Sequence, residues 1–125
     1  MTLELADLSR VPGYAGPLQA HRPDLANRFH FWCGASGRRY ACTRFLAHRV
    51  PSYEDAISLY VRRRDGETIV LAVTTGERIA TPFGTDEVHV HLVQGGVEAM
   101  QEAFEDLSAL AIRRSPIYLT ERRAA

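Results

Sequence analysis

The chain has 125 residues and no net charge, with 46% hydrophobic and 24% charged residues. This composition is typical of one globular domain and excludes disordered and fibrous proteins. It contains no apolar run of about 18 residues, and its acidic N-terminus lacks the pattern of a signal peptide, so we expect a cytoplasmic protein without membrane contact. Two cysteines are too few for a disulfide scaffold.

The charged residues are unusual in type and in distribution. All fifteen basic side chains are arginine, which is most simply the mark of a GC-rich bacterial genome and does not by itself indicate phosphate binding. Residues 22–64 are mainly basic and residues 65–106 mainly acidic. Such a two-signed surface suits an anionic partner or self-association as a homodimer, unless the two halves neutralise each other within the fold.

The N-terminal third contains a region poor in regular structure, followed by a hairpin. Residues 1–27 hold several prolines and glycines, which exclude a long helix or a central strand, so we predict an irregular arm. On both sides of the "GASG" turn at 34–37, the side chains of residues 28–46 alternate with the period of two that is typical of strands. This pattern predicts a β-hairpin. We predict one domain over 28–119 and a frayed tail at 120–125.

A second hairpin is predicted over residues 56–75. Asp65-Gly66 is typical of a two-residue type I′ turn, in which both residues need a positive φ. The flanking strands are apolar on both faces, so we expect them to be covered on both sides. The turn predicts three facing pairs: Arg64 with Glu67, Val61 with Val70, and Leu59 with Ala72.

The C-terminal third predicts one strand and one helix. The stretch "EVHVHLV" at 87–93 alternates as a strand does, and residues 97–114 have helical periodicity that ends before Ser115-Pro116. The predicted fold is therefore α+β: a mostly antiparallel sheet of about five strands, made of two hairpins plus one strand, with one C-terminal amphipathic helix packed on it. The apolar stripe of that helix comprises Val97, Met100, Phe104, Leu107 and Ala111, and its acids Glu98, Glu102, Glu105 and Asp106 are expected to be solvated.

His89 and His91 are the first candidate site. Two positions apart in a strand, their imidazoles lie on one face and could bind a divalent metal ion together. A third ligand is not determined by spacing. The alternative is a half-buried strand whose polar face carries histidines. Four further residues are candidates for the third ligand: His30, His48, Glu77 and Asp86.

The arginines at the hairpin ends are the second candidate site. If the two ends were adjacent, they could contact a nucleic-acid backbone, with Trp32 or Tyr40 as a stacking surface. Alternatively they are solvated charges that keep sheet edges from aggregating. The residues concerned are Arg38 and Arg39 at the first hairpin and Arg62, Arg63 and Arg64 at the second.

The order of elements over residues 56–116 resembles the GIY-YIG endonuclease superfamily. In that family a tyrosine helps to activate water, an arginine holds the phosphate and a helix glutamate binds a divalent ion. The resemblance implies these roles for Tyr60, Arg78 and Glu105. Ala72 and Thr74 stand where the family has its second tyrosine and glycine, which implies that the cleavage machinery is lost or altered.

We therefore predict a cytoplasmic binding or regulatory domain without catalysis and without a cofactor. Its expected partner is a protein or a nucleic acid. The alternative prediction is an enzyme, either a divergent GIY-YIG-like nuclease or a histidine-based metal-dependent hydrolase.

Overall fold

The computed structural model describes residues 11–17, 28–51, 53–76 and 81–111. Within these ranges the chain forms one α-helix and one six-stranded sheet. No helix in the described ranges is long and apolar enough to cross a membrane. The elements are β1 (Gly13–Pro17), β2 (Phe29–Cys33), β3 (Arg39–Leu46), β4 (Ala56–Arg64), β5 (Glu67–Thr75), β6 (Glu87–Leu92) and α1 (Gly96–Ser108).

The strands are ordered β1-β2-β3-β6-β4-β5, and every neighbouring pair is antiparallel. The predicted α+β class and the two hairpins are thus confirmed, and β6 lies between the hairpins and joins them. The predicted number of strands was wrong, because part of the N-terminal arm adds a sixth. Its glycines and Pro17 are tolerated because β1 is an edge strand that needs partners on one side only.

The second hairpin turns as predicted. Asp65 and Gly66 have φ values of 52° and 78°, the positive angles that a type I′ turn requires. Two of the predicted facing pairs are confirmed, Arg64 with Glu67 and Val61 with Val70.

The third predicted pair was wrong because β5 contains a bulge. Tyr60 faces Ala72 while Val61 faces Val70, which leaves Leu71 as an extra residue in β5. Beyond the bulge Leu59 therefore faces Val73 rather than Ala72. The extra residue turns Val73 to the side of the sheet that carries the helix.

The sheet has an apolar cluster on each side. On the helix face, buried side chains of the sheet pack against Ala103 and Leu107 of α1. On the opposite face, Tyr53 and its neighbours cover a second cluster. The sheet contributes Trp32, Tyr40, Cys42, Ile57, Leu59, Val61, Val70 and Val73 to the first cluster, and Ala56, Tyr60, Ala72, Val88 and Val90 to the second.

Helix α1 is shorter than predicted. It ends at Ser108, after which the chain turns, rather than continuing to residue 114. Leu107 of the predicted apolar stripe is fully buried, but Val97 is 82% exposed. Val97 lies in the first helical turn, whereas the buried contacts with the sheet come from the later turns.

Asp106 fastens the end of α1 to the first hairpin and is not simply a solvated acid. Its carboxylate accepts hydrogen bonds from Ser36 N at 2.7 Å, Ser36 Oγ at 2.6 Å and Tyr40 Oη at 2.7 Å. Partial burial opposes its ionisation, but these bonds prevail and lower the pKa of Asp106. Burial and the hydrogen bond to Asp106 raise the pKa of Tyr40 to about 12. A Cβ atom at Gly34 would overlap the Asp106 carboxylate, so the contact needs glycine there.

Candidate anion-binding site

Glu87 lies at the centre of a polar cluster on the helix face. It is the first residue of β6, and its side chain is only 9% exposed. Since β3 and β4 flank β6, alternation places Arg44 and Arg63 on the same face, one on each side of Glu87. Arg44 Nε donates to Glu87 Oε2 at 2.7 Å, and Arg63 Nε donates to Oε1 at 3.0 Å. One buried carboxylate thus holds two guanidinium groups.

His89 holds Glu87 in position through a further hydrogen bond. It is fully buried, and Trp32 Nε1 donates to its Nδ1 at 2.8 Å. An indole N–H can only donate, so Nδ1 is unprotonated and the ring proton is on Nε2. Nε2 then donates to Glu87 Oε1, 2.9 Å away. Burial lowers the pKa of His89 by more than the nearby Glu87 raises it, in agreement with a neutral ring.

The carboxylate of Glu87 is ionised throughout the physiological range. Burial alone would raise its pKa, but the hydrogen bonds from His89, Arg44 and Arg63 outweigh burial and hold the pKa of Glu87 well below its ordinary value. With His89 neutral, Glu87 and the two arginines together carry one net positive charge.

The edge strand β1 closes one side of this arrangement. Tyr14 Oη lies 2.6 Å from His30 Nδ1, and the Arg63 guanidinium lies over the Tyr14 ring, 5.3 Å from its centroid. The rings of His30 and His89 are 4.9 Å apart. We call the whole group the Glu87 cluster: Tyr14, His30, Trp32, Arg44, Arg63, Glu87 and His89.

The two arginines retain hydrogen-bonding groups that could bind a ligand. Their side chains are 32% and 37% exposed, for Arg44 and Arg63 respectively. Arg44 uses only Nε, and neither of its Nη atoms has a partner among the described residues. Arg63 directs Nη2 at Tyr14 Oη, at a long 3.5 Å. Guanidinium N–H groups fixed in this way match the oxygens of phosphate and carboxylate groups.

The structure does not bring His89 and His91 together as metal ligands. They share a face as predicted, but both nitrogens of His89 are bonded to Trp32 and Glu87. His91 Nδ1 donates to the Ala41 carbonyl oxygen at 2.8 Å. In the part of the chain that the structure describes, no three His, Cys, Asp or Glu residues are placed to hold a metal ion.

Of the four candidates for a third ligand, two are hydrogen-bonded elsewhere, one lies on a short turn after β3 and one is outside the described ranges. His30 contacts Tyr14, and Asp86 accepts the backbone N–H of Arg63 at 2.8 Å. His48 lies on a short 3-10 turn after β3. Glu77 is outside the described residues.

The hairpin-end arginines do not form one surface. Both β3 and β4 are antiparallel to β6, so they run in the same direction. The first hairpin turn precedes β3 and the second follows β4, which places the two turns at opposite ends of the sheet. Arg38 and Arg39 are therefore remote from Arg62–Arg64. Trp32, predicted as a stacking surface, is 1% exposed and instead supports His89.

The residues implied by the GIY-YIG resemblance also do not converge. Tyr60 is fully buried in the cluster on the opposite face, with its hydroxyl 3.1 Å from Thr74 Oγ1. Glu105 is exposed on α1, on the other side of the sheet. Arg78 lies outside the described residues.

Sequence reasoning included Arg63 among the hairpin arginines but missed Arg44 and Glu87. One signal was present: Glu87 stands two positions before His89 in a strand, so the two must share a face.

Compared with models of known protein families, with curated proteins and with solved structures, the chain has no match. The GIY-YIG resemblance therefore stays a prediction.

Proposed function

We propose that this chain is a non-catalytic binding domain that holds an oxyanion of its partner between Arg44 and Arg63. The observation that carries the proposal is that two arginines share one buried carboxylate. One arginine neutralises Glu87, so the second leaves the Glu87 cluster with one net positive charge on a partly exposed surface. A surplus cation held in a fixed position is suited to a ligand of opposite charge.

The arrangement also reduces the conformational cost of binding. A free arginine side chain has roughly 2 kcal/mol of rotamer entropy to lose on binding. Here Nε of each arginine is already hydrogen-bonded to Glu87, Glu87 is held in turn by His89, and His89 is held by Trp32. Less freedom therefore remains to be lost when a ligand binds.

The test is a titration of the purified chain with inorganic phosphate and, separately, with acetate, at low ionic strength. These probes stand for the phosphate or carboxylate group of a partner. The chain has a single tryptophan, Trp32, which is connected to Glu87 through His89, so its fluorescence reports on the cluster. Calorimetry provides a second readout.

We expect Arg44→Gln and Arg63→Gln each to weaken binding of the preferred anion about tenfold or more, the effect of losing one charge-assisted hydrogen bond. Arg64→Gln is the matched control, because Arg64 is an exposed arginine of the same strand that lies outside the cluster. If neither anion binds the wild type, or if both cluster variants bind as the wild type does, the proposal is wrong.

A further inference from the structure

A second surface lies on the opposite face of the sheet, at β2 and β3. Phe29 and Phe31 are two positions apart in β2 and are both partly exposed. Their neighbours across β3 are small: Phe31 faces Ala41, which is exposed, and Phe29 faces Thr43. Neither neighbour is large enough to cover a phenyl ring, so this part of the opposite face is unlike the covered cluster at Tyr60.

A cation lies against one ring of this aromatic pair. The Arg39 guanidinium lies 5.0 Å from the centroid of the Phe31 ring, and Arg39 is exposed. Arg28 is exposed as well and immediately precedes the start of β2. No described carboxylate forms an ion pair with either arginine. Arg38 has one weak pair, 4.0 Å from Glu102, with both side chains mostly exposed. The surface is therefore aromatic, with the positive charge of Arg39 against the Phe31 ring.

We infer that this face binds single-stranded nucleic acid, with bases stacked on Phe31 and Phe29 and a phosphate held by Arg39. Side chains two positions apart in a strand are separated by about 7 Å, so each ring can accept one base of an extended strand. Arg39 complements a polyanion, whereas an apolar protein segment would leave its charge without a partner. A duplex keeps its bases stacked internally and could not use the rings.

This inference does not depend on the proposed oxyanion site. The Glu87 cluster is on the helix face, whereas Phe29 and Phe31 project from the other side of β2. The two proposals can therefore fail separately. Arg44→Gln should weaken binding of the preferred anion about tenfold or more while leaving oligonucleotide binding intact.

The experiment measures fluorescence anisotropy of a labelled single-stranded oligonucleotide of about 12 nucleotides, at two salt concentrations, against the same sequence as a duplex. Loss of one stacked base predicts that Phe31→Leu weakens binding about tenfold or more. Phe31→Tyr keeps the ring and should bind like the wild type. Arg39→Gln should weaken binding and reduce the slope of log affinity against log salt by about one.

The controls separate a lost contact from a lost fold. Urea unfolding followed by Trp32 fluorescence shows whether Phe31→Leu is folded. Arg64→Gln removes the same charge as Arg39→Gln, but away from Phe29 and Phe31. The inference is overturned if the wild type does not bind the single strand at about 50 mM salt, or if it binds the duplex equally tightly. It is also overturned if folded Phe31→Leu retains wild-type affinity.

Discussion

The structure makes its sharpest prediction for Glu87→Gln. Glutamine has the same shape as glutamate but lacks the charge, and its amide NH₂ replaces one of two oxygens that currently accept hydrogen bonds. Arg44 Nε donates to Oε2, and Arg63 Nε and His89 Nε2 both donate to Oε1. Whichever way the amide turns, at least one donor meets another donor, and two guanidinium groups lose the anion between them.

The expected loss of stability can be bounded from both sides. Breaking a fully buried ion pair costs about 3–5 kcal/mol, and one hydrogen bond to a charged group contributes about 1.5–3 kcal/mol. Both arginines are about one-third exposed and can turn towards water, which lowers the cost. We therefore expect a decrease of about 2–3 kcal/mol in the free energy of unfolding, or a fall in Tm of about 10 °C for a domain of this size.

The measurement is urea unfolding followed by Trp32 fluorescence, with the midpoint compared at an unchanged slope. Glu105→Gln is the matched control, because Glu105 is exposed on α1 and should change stability by less than about 0.5 kcal/mol. If Glu87→Gln is as stable as that control, Glu87 does not anchor the two arginines, and they do not form a preorganised site.

Three further predictions follow from other contacts. The folded-state pKa of His89 is lowered, so its stabilising contribution is complete above about pH 6.5 and is lost as the pH falls below that value, by up to about 1.4 kcal/mol per pH unit. Unfolding measured between pH 7.5 and 5 should therefore be less pH-dependent in His89→Gln, and equal slopes would refute this. Asp106→Asn should destabilise the chain by about 1–2 kcal/mol and bring the pKa of Tyr40 down from about 12 towards 10, as followed by tyrosinate absorbance. An unchanged titration would show that burial alone raises that pKa. Gly34→Ala should lower Tm because its Cβ overlaps the Asp106 carboxylate, and this penalty should shrink in the Asp106→Ala background if the overlap is its cause.

Much of the fold was accessible from local pattern. Alternation and the Asp65-Gly66 turn placed the second hairpin, and the two positive φ angles agree with that prediction. Edge strand β1 was missed because Gly13–Pro17 has no strand signal of its own and takes its place by pairing with β2 and by the contacts of Tyr14. The bulge at Leu71 was missed for a related reason. An inserted residue leaves the apolar pattern almost unchanged and is seen only in the register.

The candidate sites depended on information that spacing does not contain. The sequence by itself determined that His89 and His91 share a face, since strand alternation is a property of the backbone. Only the tertiary structure decided that Trp32 and Glu87 occupy both nitrogens of His89, because Trp32 is brought there from 57 positions away. The convergence of Arg44 and Arg63 on Glu87 has the same origin. It required β6 to lie between β3 and β4, and strand order is set by how the two apolar faces are buried, which no single stretch of sequence records.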